Sequence, residues 1–357
     1  MLKINPLSTL YVGIDVSSKS NYVCALDFFK NKYINSSFAN NQPGAEELAL
    51  KILECLNQHP DLTMVVAALE STSVYSIHIA NYLSSCEELM RFKPYVFVLN
   101  PKCTANYKKS YIGLGKSDPI DAFVIADYAR AGNIESEPWR GSQFLALKRL
   151  TRHRLHLVEC MTREKTYLIS NLYLKFSELQ MLEGDDQPFC DIYGATSSSV
   201  LMEYLSPEEI LASSEEDLIA FLAEKSRNRI KDISKTADLL KKAARDSYRL
   251  DKALYEPLNV SIASSFNCIE TFKREIKVID NAIEKEIKGL NPNAFIILQS
   301  IDGIGPVFAG GIIAEIGDIT AFHSSDALAK YAGLTWKSNQ SGDFDGEDTP
   351  MIKAGNR

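Results

Sequence analysis

As far as about Ala131 the chain is built from short apolar runs and apolar/polar alternation, with helical spacing between them. Leu10–Val16 and Asn21–Phe28 read as adjacent strands joined by the polar turn Ser17-Ser18-Lys19-Ser20, and Tyr33–Ala39 supplies a third. Ala45–Leu56 has helical periodicity, Thr63–Glu70 is a buried strand, Val74–Leu83 is helical again, and Tyr95–Leu99 is a short strand. A basic stretch, Asn100–Lys116, follows with no element assigned to it. Pro119 then opens a helix to about Ala131, with Ser117 or Asp118 as its N-cap.

From about Ser142 the spacing is helical. Leu147, Leu150, Leu157, Met161 and Leu168 form one seam, interrupted by Arg154 and Glu164. Ile269, Phe272, Ile276, Ile279, Ile283 and Leu290 form a second, broken by Glu286. Such seams suit antiparallel coiled-coil arms that join subunits, and equally an ordinary helical bundle within one subunit. Between them, Glu183–Asp186 and Ala195–Ser199 read as loops, and Ser206–Ser226 as a small helical insert. Near the end, Ile301-Asp302-Gly303-Ile304-Gly305-Pro306 links two helical runs in the manner of a helix-hairpin-helix. The helix Val307–Ile316 follows with Gly317 as its cap, then a helix at Ser324–Ala332 and the polar segment Ser338–Asp343. Without a preceding strand the glycine turn is a weak nucleotide fingerprint.

The predicted class is α/β plus α. Leading antiparallel strands followed by helix–strand alternation suit a layer fold of the ribonuclease-H type over residues 1–140. A helical middle spans 141–292, and a mainly helical C-terminal domain spans 293–357.

Composition narrows the class. Seven scattered cysteines with no C-x-x-C pair argue for a reducing cytosol and against structural zinc. No apolar stretch approaches the roughly 20 residues needed to cross a bilayer, and Met1–Leu10 lacks the regions of a signal peptide. These features predict a soluble intracellular protein. The net charge of −7 conceals a division: Arg91–Lys175 carries 15 Lys and Arg against 7 Asp and Glu. A basic zone of this kind suits a phosphate backbone, or is simply a solvated helix face.

Four acids stand out within that frame. Asp15 lies in the apolar strand Tyr11–Ser17, Glu70 ends Met64–Glu70, and Asp118 and Asp121 lie three apart at a helix start. Each has an ordinary reading, as a strand-end acid, an N-cap or a charge in a first helical turn. Those readings leave their joint placement unexplained. Charges beside a sheet core are costly unless neutralised, and several oxygens gathered together suit a divalent cation. Adjacent strand ends and one helix face can bring all four to one place, where two ions about 4 Å apart stabilise both oxygens at phosphorus. The order Asp, Glu, Asp-x-x-Asp therefore points to metal-dependent phosphoryl transfer on nucleic acid. Asp27 ends the second strand and Asp127 falls off the face of Asp121, so both are weaker members. Ser341, beside Gly342, reads from spacing as an ordinary loop residue, and His323 as a surface or cap residue rather than its base.

Together these residues resemble the DEDD transposases of bacterial insertion sequences, a family of bridge-RNA-guided serine recombinases. The resemblance rests on Tyr11–Ser17, Ala68-Leu69-Glu70-Ser71-Thr72 and Lys116-Ser117-Asp118-Pro119-Ile120-Asp121-Ala122 in the N-terminal part. In the C-terminal part it rests on Ile301–Pro306, Tyr331-Ala332-Gly333-Leu334 and Gln340-Ser341-Gly342. It implies a RuvC-like N-terminal domain, a coiled-coil dimerisation region and a C-terminal transposase domain. It implies that Asp15, Glu70, Asp118 and Asp121 bind Mg²⁺, for which Mn²⁺ can substitute, and that Ser341 is the nucleophile. It further implies donor and target DNA, a structured guide RNA from the same element, a homo-oligomer (dimer or tetramer), no membrane association and a bacterial cytoplasmic setting. Two departures stand out: Trp336 occupies a place where the family often has proline, and the family usually continues past Gly355-Asn356 into further helix. Two rival readings remain: a Holliday-junction resolvase that uses water with the same acids, and an inactive RNA- or DNA-binding remnant.

Overall fold

Alternation along the first strand becomes a central strand buried on both faces. The first elements are β1 (Thr9–Val16), β2 (Ser20–Leu26), β3 (Lys32–Ala39), α1 (Gln42–Gln58), β4 (Met64–Glu70), α2 (Tyr75–Ser85) and β5 (Tyr95–Leu99). Next come α3 (Pro101–Lys108) and α4 (Asp118–Arg130). The sheet order is β3-β2-β1-β4-β5; β1 to β3 form an antiparallel meander, while β4 and β5 run parallel to β1. Leu10, Val12, Ile14 and Val16 pack with Val65, Ala67 and Leu69 in a core shared with α1 and α2. Tyr11, Val66, Ala68 and Phe97 point the other way and pack with Ala122, Ile125 and Ala126 of α4. The period of two thus divides β1 between two cores.

This computed structural model describes residues 4–134, 137–139, 141–317, 319–336, 340–341, 344–346 and 351. They fall into two compact units, Met1–Ala146 with Ile316–Arg357, and Leu147–Glu315. Among the described residues no helix is long and apolar enough to cross a membrane.

The basic stretch to which the sequence assigned no element contains α3. Its N-cap is Asn100, whose side chain accepts from Lys102 N at 3.0 Å, with Pro101 in the first turn. Only Thr104 in α3 is buried, so the helix has no apolar stripe for periodicity to reveal.

The second unit is helical: α5 (Ser142–Lys175) leads into it, followed by α6 (Ala195–Glu203), α7 (Pro207–Ala212), α8 (Glu215–Ser226) and α9 (Ile233–Asp246). Then come α10 (Lys252–Leu290), α11 (Pro292–Gln299) and α12 (Pro306–Ile316). Ala195–Ser199, expected as a loop, opens α6. Its serines hide the helix, but Val200 and Leu201 anchor it in a core with Leu168 and Leu172 of α5 and Ile262 and Phe266 of α10. Both apolar seams are thus used in part within one chain. Arg154, which interrupts the first seam, donates from Nε to Asp280 Oδ1 of α10 at 2.5 Å. On the second, Ile287 rather than Glu286 is buried.

The expected glycine turn lies between α11 and α12, with Gly303 at φ +88°. A Cβ on Gly303 or Gly305 would meet nothing within 4 Å, so the turn is open. Gly317, at φ +68°, follows α12 where a cap was expected. Beyond it are α13 (Ser325–Tyr331), capped by Ser324, and a ribbon of β6 (Gln340–Ser341) and β7 (Phe344–Asp345).

Candidate active site

Three elements converge on Asp15. It shares with Tyr11 and Gly13 the face of β1 that α4 covers, since strand side chains alternate. The parallel register pairs Ile14 with Leu69, which places Glu70 at the adjoining end of β4. The strand-to-helix approach is set by Gly13. A Cβ there would lie 2.2 Å from Ala122 O and 2.3 Å from Ala126 N, so only glycine admits α4 this close. With the helix seated on β1, its first turn carries Asp118 and Asp121. Ser117 is the N-cap in extended conformation, and its carbonyl accepts from Ile120 N at 3.0 Å and Asp121 N at 2.9 Å.

The acids feel one another. Partial burial pushes the Asp15 carboxyl up to about 6, and the charges of Asp121, Asp118 and Glu70 add to the effect, while Lys108 opposes it. Glu70 Oε1 accepts from Thr104 Oγ1 at 2.5 Å, and Lys108 Nζ is paired with Asp121 Oδ1. Asp118 is exposed. Among the described residues no three His, Cys, Asp or Glu side chains form a group that could hold a metal ion as placed. The four acids share a field without forming a closed ligand shell, and two of them already have partners from α3. The donor chemistry nevertheless suits a hard cation, since all four side chains offer carboxylate oxygens, and burial and then the three other acids raise the Asp15 carboxyl.

Thr104 and Lys108 were not singled out in the sequence. Their spacing of four would have placed them on one helix face had α3 been recognised, and Asn100-Pro101 was the available signal.

The two weaker acids have structural partners. Asp27 accepts from Asn31 N at 2.9 Å, Asn31 Nδ2 at 2.8 Å and Tyr33 OH at 3.0 Å, closing the turn after β2. Asp127 is fully buried and accepts from Tyr107 OH at 2.9 Å, Arg130 Nε at 2.6 Å, Lys30 Nζ at 3.2 Å and Tyr111 OH. Burial would raise its pKa, but these donors outweigh burial and hold it below the usual carboxylate range. Asp127→Ala should therefore cost about 3–5 kcal/mol, because Arg130 and Lys30 lose their counter-charge and α3 its anchor. Urea unfolding would measure this, and a loss under 1 kcal/mol would contradict the anchoring role.

Ser341 occupies β6, where its backbone pairs with Phe344. Its side chain lies outside the described residues, as do Gly342 and Asp343.

Comparison with known proteins adds a second line. A family model described as a transposase, of the DEDD kind, matches residues 12–177. That match contains Asp15, Glu70, α3, Asp118 and Asp121. A model described as the IS116/IS110/IS902 family of transposases matches residues 296–357, which contain Ser341. The chain is 25% identical over 342 residues to a 42 kDa protein of insertion element IS900 from Mycobacterium paratuberculosis, covering 94% of this chain and 79% of that one. It is 24% identical over 350 residues to a 44.8 kDa protein of insertion element IS116 from Streptomyces clavuligerus, covering 93% and 77%. Over 160 residues it is 26% identical to the pilin gene-inverting protein of Moraxella lacunata, covering 45% and 46%.

Proposed function

Because the chain belongs to the DEDD transposases of the IS116/IS110/IS902 family, enzymes that act on DNA, we propose that it cuts and rejoins DNA at the ends of its own insertion sequence. Transposases of this type generally depend on a divalent metal. Asp15, Glu70, Asp118 and Asp121 hold it in this reading, with Mg²⁺ as the ion and Mn²⁺ as substitute. The observation that carries the proposal is the placement of Asp15 and Glu70 at adjoining ends of β1 and β4, beside the first turn of α4 with its Asp118 and Asp121. When bound, a divalent ion supplies positive charge to the oxygens at a reacting phosphorus. The sheet order β3-β2-β1-β4-β5, with Asp15 and Glu70 at neighbouring strand ends, supports a RuvC-like assignment for residues 1–140.

In the proposed reaction Ser341 Oγ attacks the scissile phosphorus. A serine–phosphate ester forms, one phosphate ester of the DNA strand breaks, and the serine proton ends on the released hydroxyl. Attack by a hydroxyl of the recombining strand reverses the exchange and frees the serine. Similarity to a pilin gene-inverting protein supports recombination as the outcome. The basic region Arg91–Lys175 and the open glycine turn at Gly303 are the surfaces offered to phosphate backbone. A guide RNA from the element pairs with donor and target DNA in this scheme, so base pairing reads sequence while the protein reads backbone. The middle region 141–292 joins subunits into a dimer or tetramer, and residues 293–357 form the transposase domain bearing the serine. The setting is the bacterial cytoplasm, where the element's DNA resides.

Covalent capture tests the proposal. The protein is expressed beside its native flanking DNA, its retained RNA is sequenced, and a nicked, end-labelled DNA is added with Mg²⁺. The expected result is one discrete RNA encoded beside the gene and a protein–DNA adduct that survives denaturation and disappears in Ser341→Ala. Cleavage that persists in Ser341→Ala without an adduct would identify a water nucleophile and a junction resolvase. Binding with no Mg²⁺-dependent cleavage would identify an inactive binding protein.

A further inference from the structure

Helix α3 places two side chains, one turn apart, on two different members of the acid set. Thr104 Oγ1 donates to Glu70 Oε1 at 2.5 Å, and Lys108 Nζ is paired with Asp121 Oδ1. This face is polar throughout, and the helix is held by Tyr107 OH on Asp127 Oδ2 at 2.9 Å and by Tyr111 just beyond its end. Lys108 and Asp121 are 22% and 25% exposed at their side chains, so the pair is shielded enough to matter and open enough to exchange. The Lys108 charge also reaches Asp15, where it opposes the push of the three acids. Lys108 therefore offsets the charge of the cluster from within the chain, at Asp121 by contact and at Asp15 through its field.

We propose that Lys108 is an exchangeable counter-ion, neutralising Asp121 when no metal is present and transferring its ammonium to a DNA phosphate when a divalent cation takes that carboxylate. The inference rests on the metal-binding reading of the four acids. An ammonium on Asp121 Oδ1 repels a divalent ion at the same carboxylate whichever oxygen the ion takes, so ion and lysine compete for Asp121. Lysine suits exchange: it is a compact point charge on a flexible stem, and a phosphate oxygen satisfies it as well as a carboxylate does. Thr104 differs, because a hydroxyl can keep its bond to one oxygen of Glu70 while the other binds a metal. The exchange would couple loading of the site to a grip on DNA.

Mn²⁺ binding to the full chain, followed by the spectroscopic signal of the free ion, tests the competition directly. In Lys108→Met the affinity should rise about tenfold, the scale of one nearby unit charge in a partly screened site. In EDTA the same variant should melt at a lower temperature than the unaltered protein, because the acids lose their counter-charge. Lys108→Arg keeps the positive charge and should not show the tenfold rise in Mn²⁺ affinity. With Mn²⁺ present, the salt dependence of DNA binding in Lys108→Met should weaken by about one phosphate contact, a slope change of roughly 0.9, and in EDTA it should not change. If Lys108→Met does not fold, Lys108→Gln carries the same expectations. Unchanged or weakened Mn²⁺ affinity in the folded variant overturns the exchange and leaves a fixed structural ion pair. Asp15→Asn separates the two levels: if it binds Mn²⁺ as well as the unaltered chain does, or if neither binds, the metal reading itself fails.

Discussion

Asp15→Asn should abolish DNA cleavage while making the metal-free protein more stable at pH 8. The loss of activity should be on the order of a thousandfold or more, the scale for removing a preorganised electrostatic group from a reacting centre. The gain in stability follows from linkage. In the folded chain Asp15 titrates near 6, above the ordinary carboxylate value of 3.8, mainly through burial and then through Asp121, Asp118 and Glu70. The folded state therefore holds this proton more tightly than the unfolded state does. Stability associated with the proton is fully present below about pH 4, is lost as pH rises through 6, and is absent above it. Asparagine stays neutral throughout and removes that loss. The expected gain is about 1 kcal/mol at pH 8, after allowance for solvent screening of a partly buried group, shrinking at pH 5 and vanishing near pH 4. Melting temperatures in EDTA at pH 8 and pH 5, beside a cleavage assay in Mg²⁺, would check both halves. A gain independent of pH, or cleavage retained at a tenth of the original rate, would remove Asp15 from its assigned place.

Gly13→Ala is the second large expectation, and it concerns one methyl group. The added Cβ would lie 2.2 Å from Ala122 O, 2.3 Å from Ala126 N and 2.8 Å from Ala126 Cα, all backbone atoms that no rotamer change can clear. Either the chain fails to fold, or α4 retreats from β1 by about 1 Å to restore ordinary contact distances. Overpacking of this kind typically costs about 1–3 kcal/mol, and contact with backbone places this case at or above the upper end. A retreating α4 carries Asp118 and Asp121 away from Asp15 and Glu70, and a displacement near 1 Å can cost about a hundredfold in rate. Urea unfolding and a cleavage assay on whatever fraction folds would measure the two effects. A variant within 0.5 kcal/mol of the original that cleaves normally would mean that α4 does not depend on this contact.

The strand framework was legible because its signal is local. Tyr95–Leu99 was read with its observed bounds, and the other strands to within one or two residues at most ends, since alternation and β-branched runs directly report a pleated, buried strand. The start of α4 was legible for the same kind of reason: Ser117 and Pro119 mark a helix N-terminus in the chain itself. Helix α3 was not, because an eight-residue helix with one buried side chain leaves no periodic trace and depends on bonds to Asp127 and Asp121 from elsewhere in the fold. Ala195–Ser199 misled because three consecutive serines favour turns locally, whereas burial of Val200 and Leu201 decides for helix.

The sequence by itself determined where three aspartates and a glutamate lie in the elements, at strand ends and in a first helical turn, through strand alternation and the Ser117 and Pro119 helix-start signals. Only the tertiary structure decided how they act on one another. Parallel register sets Glu70 beside the end of β1, the absence of a Cβ on Gly13 lets α4 come into backbone contact, and α3 returns Thr104 and Lys108 onto two of the acids. Those relations join residues far apart in the chain through close packing and partly shielded charge. Neither depends on local spacing, so neither leaves a pattern along the sequence.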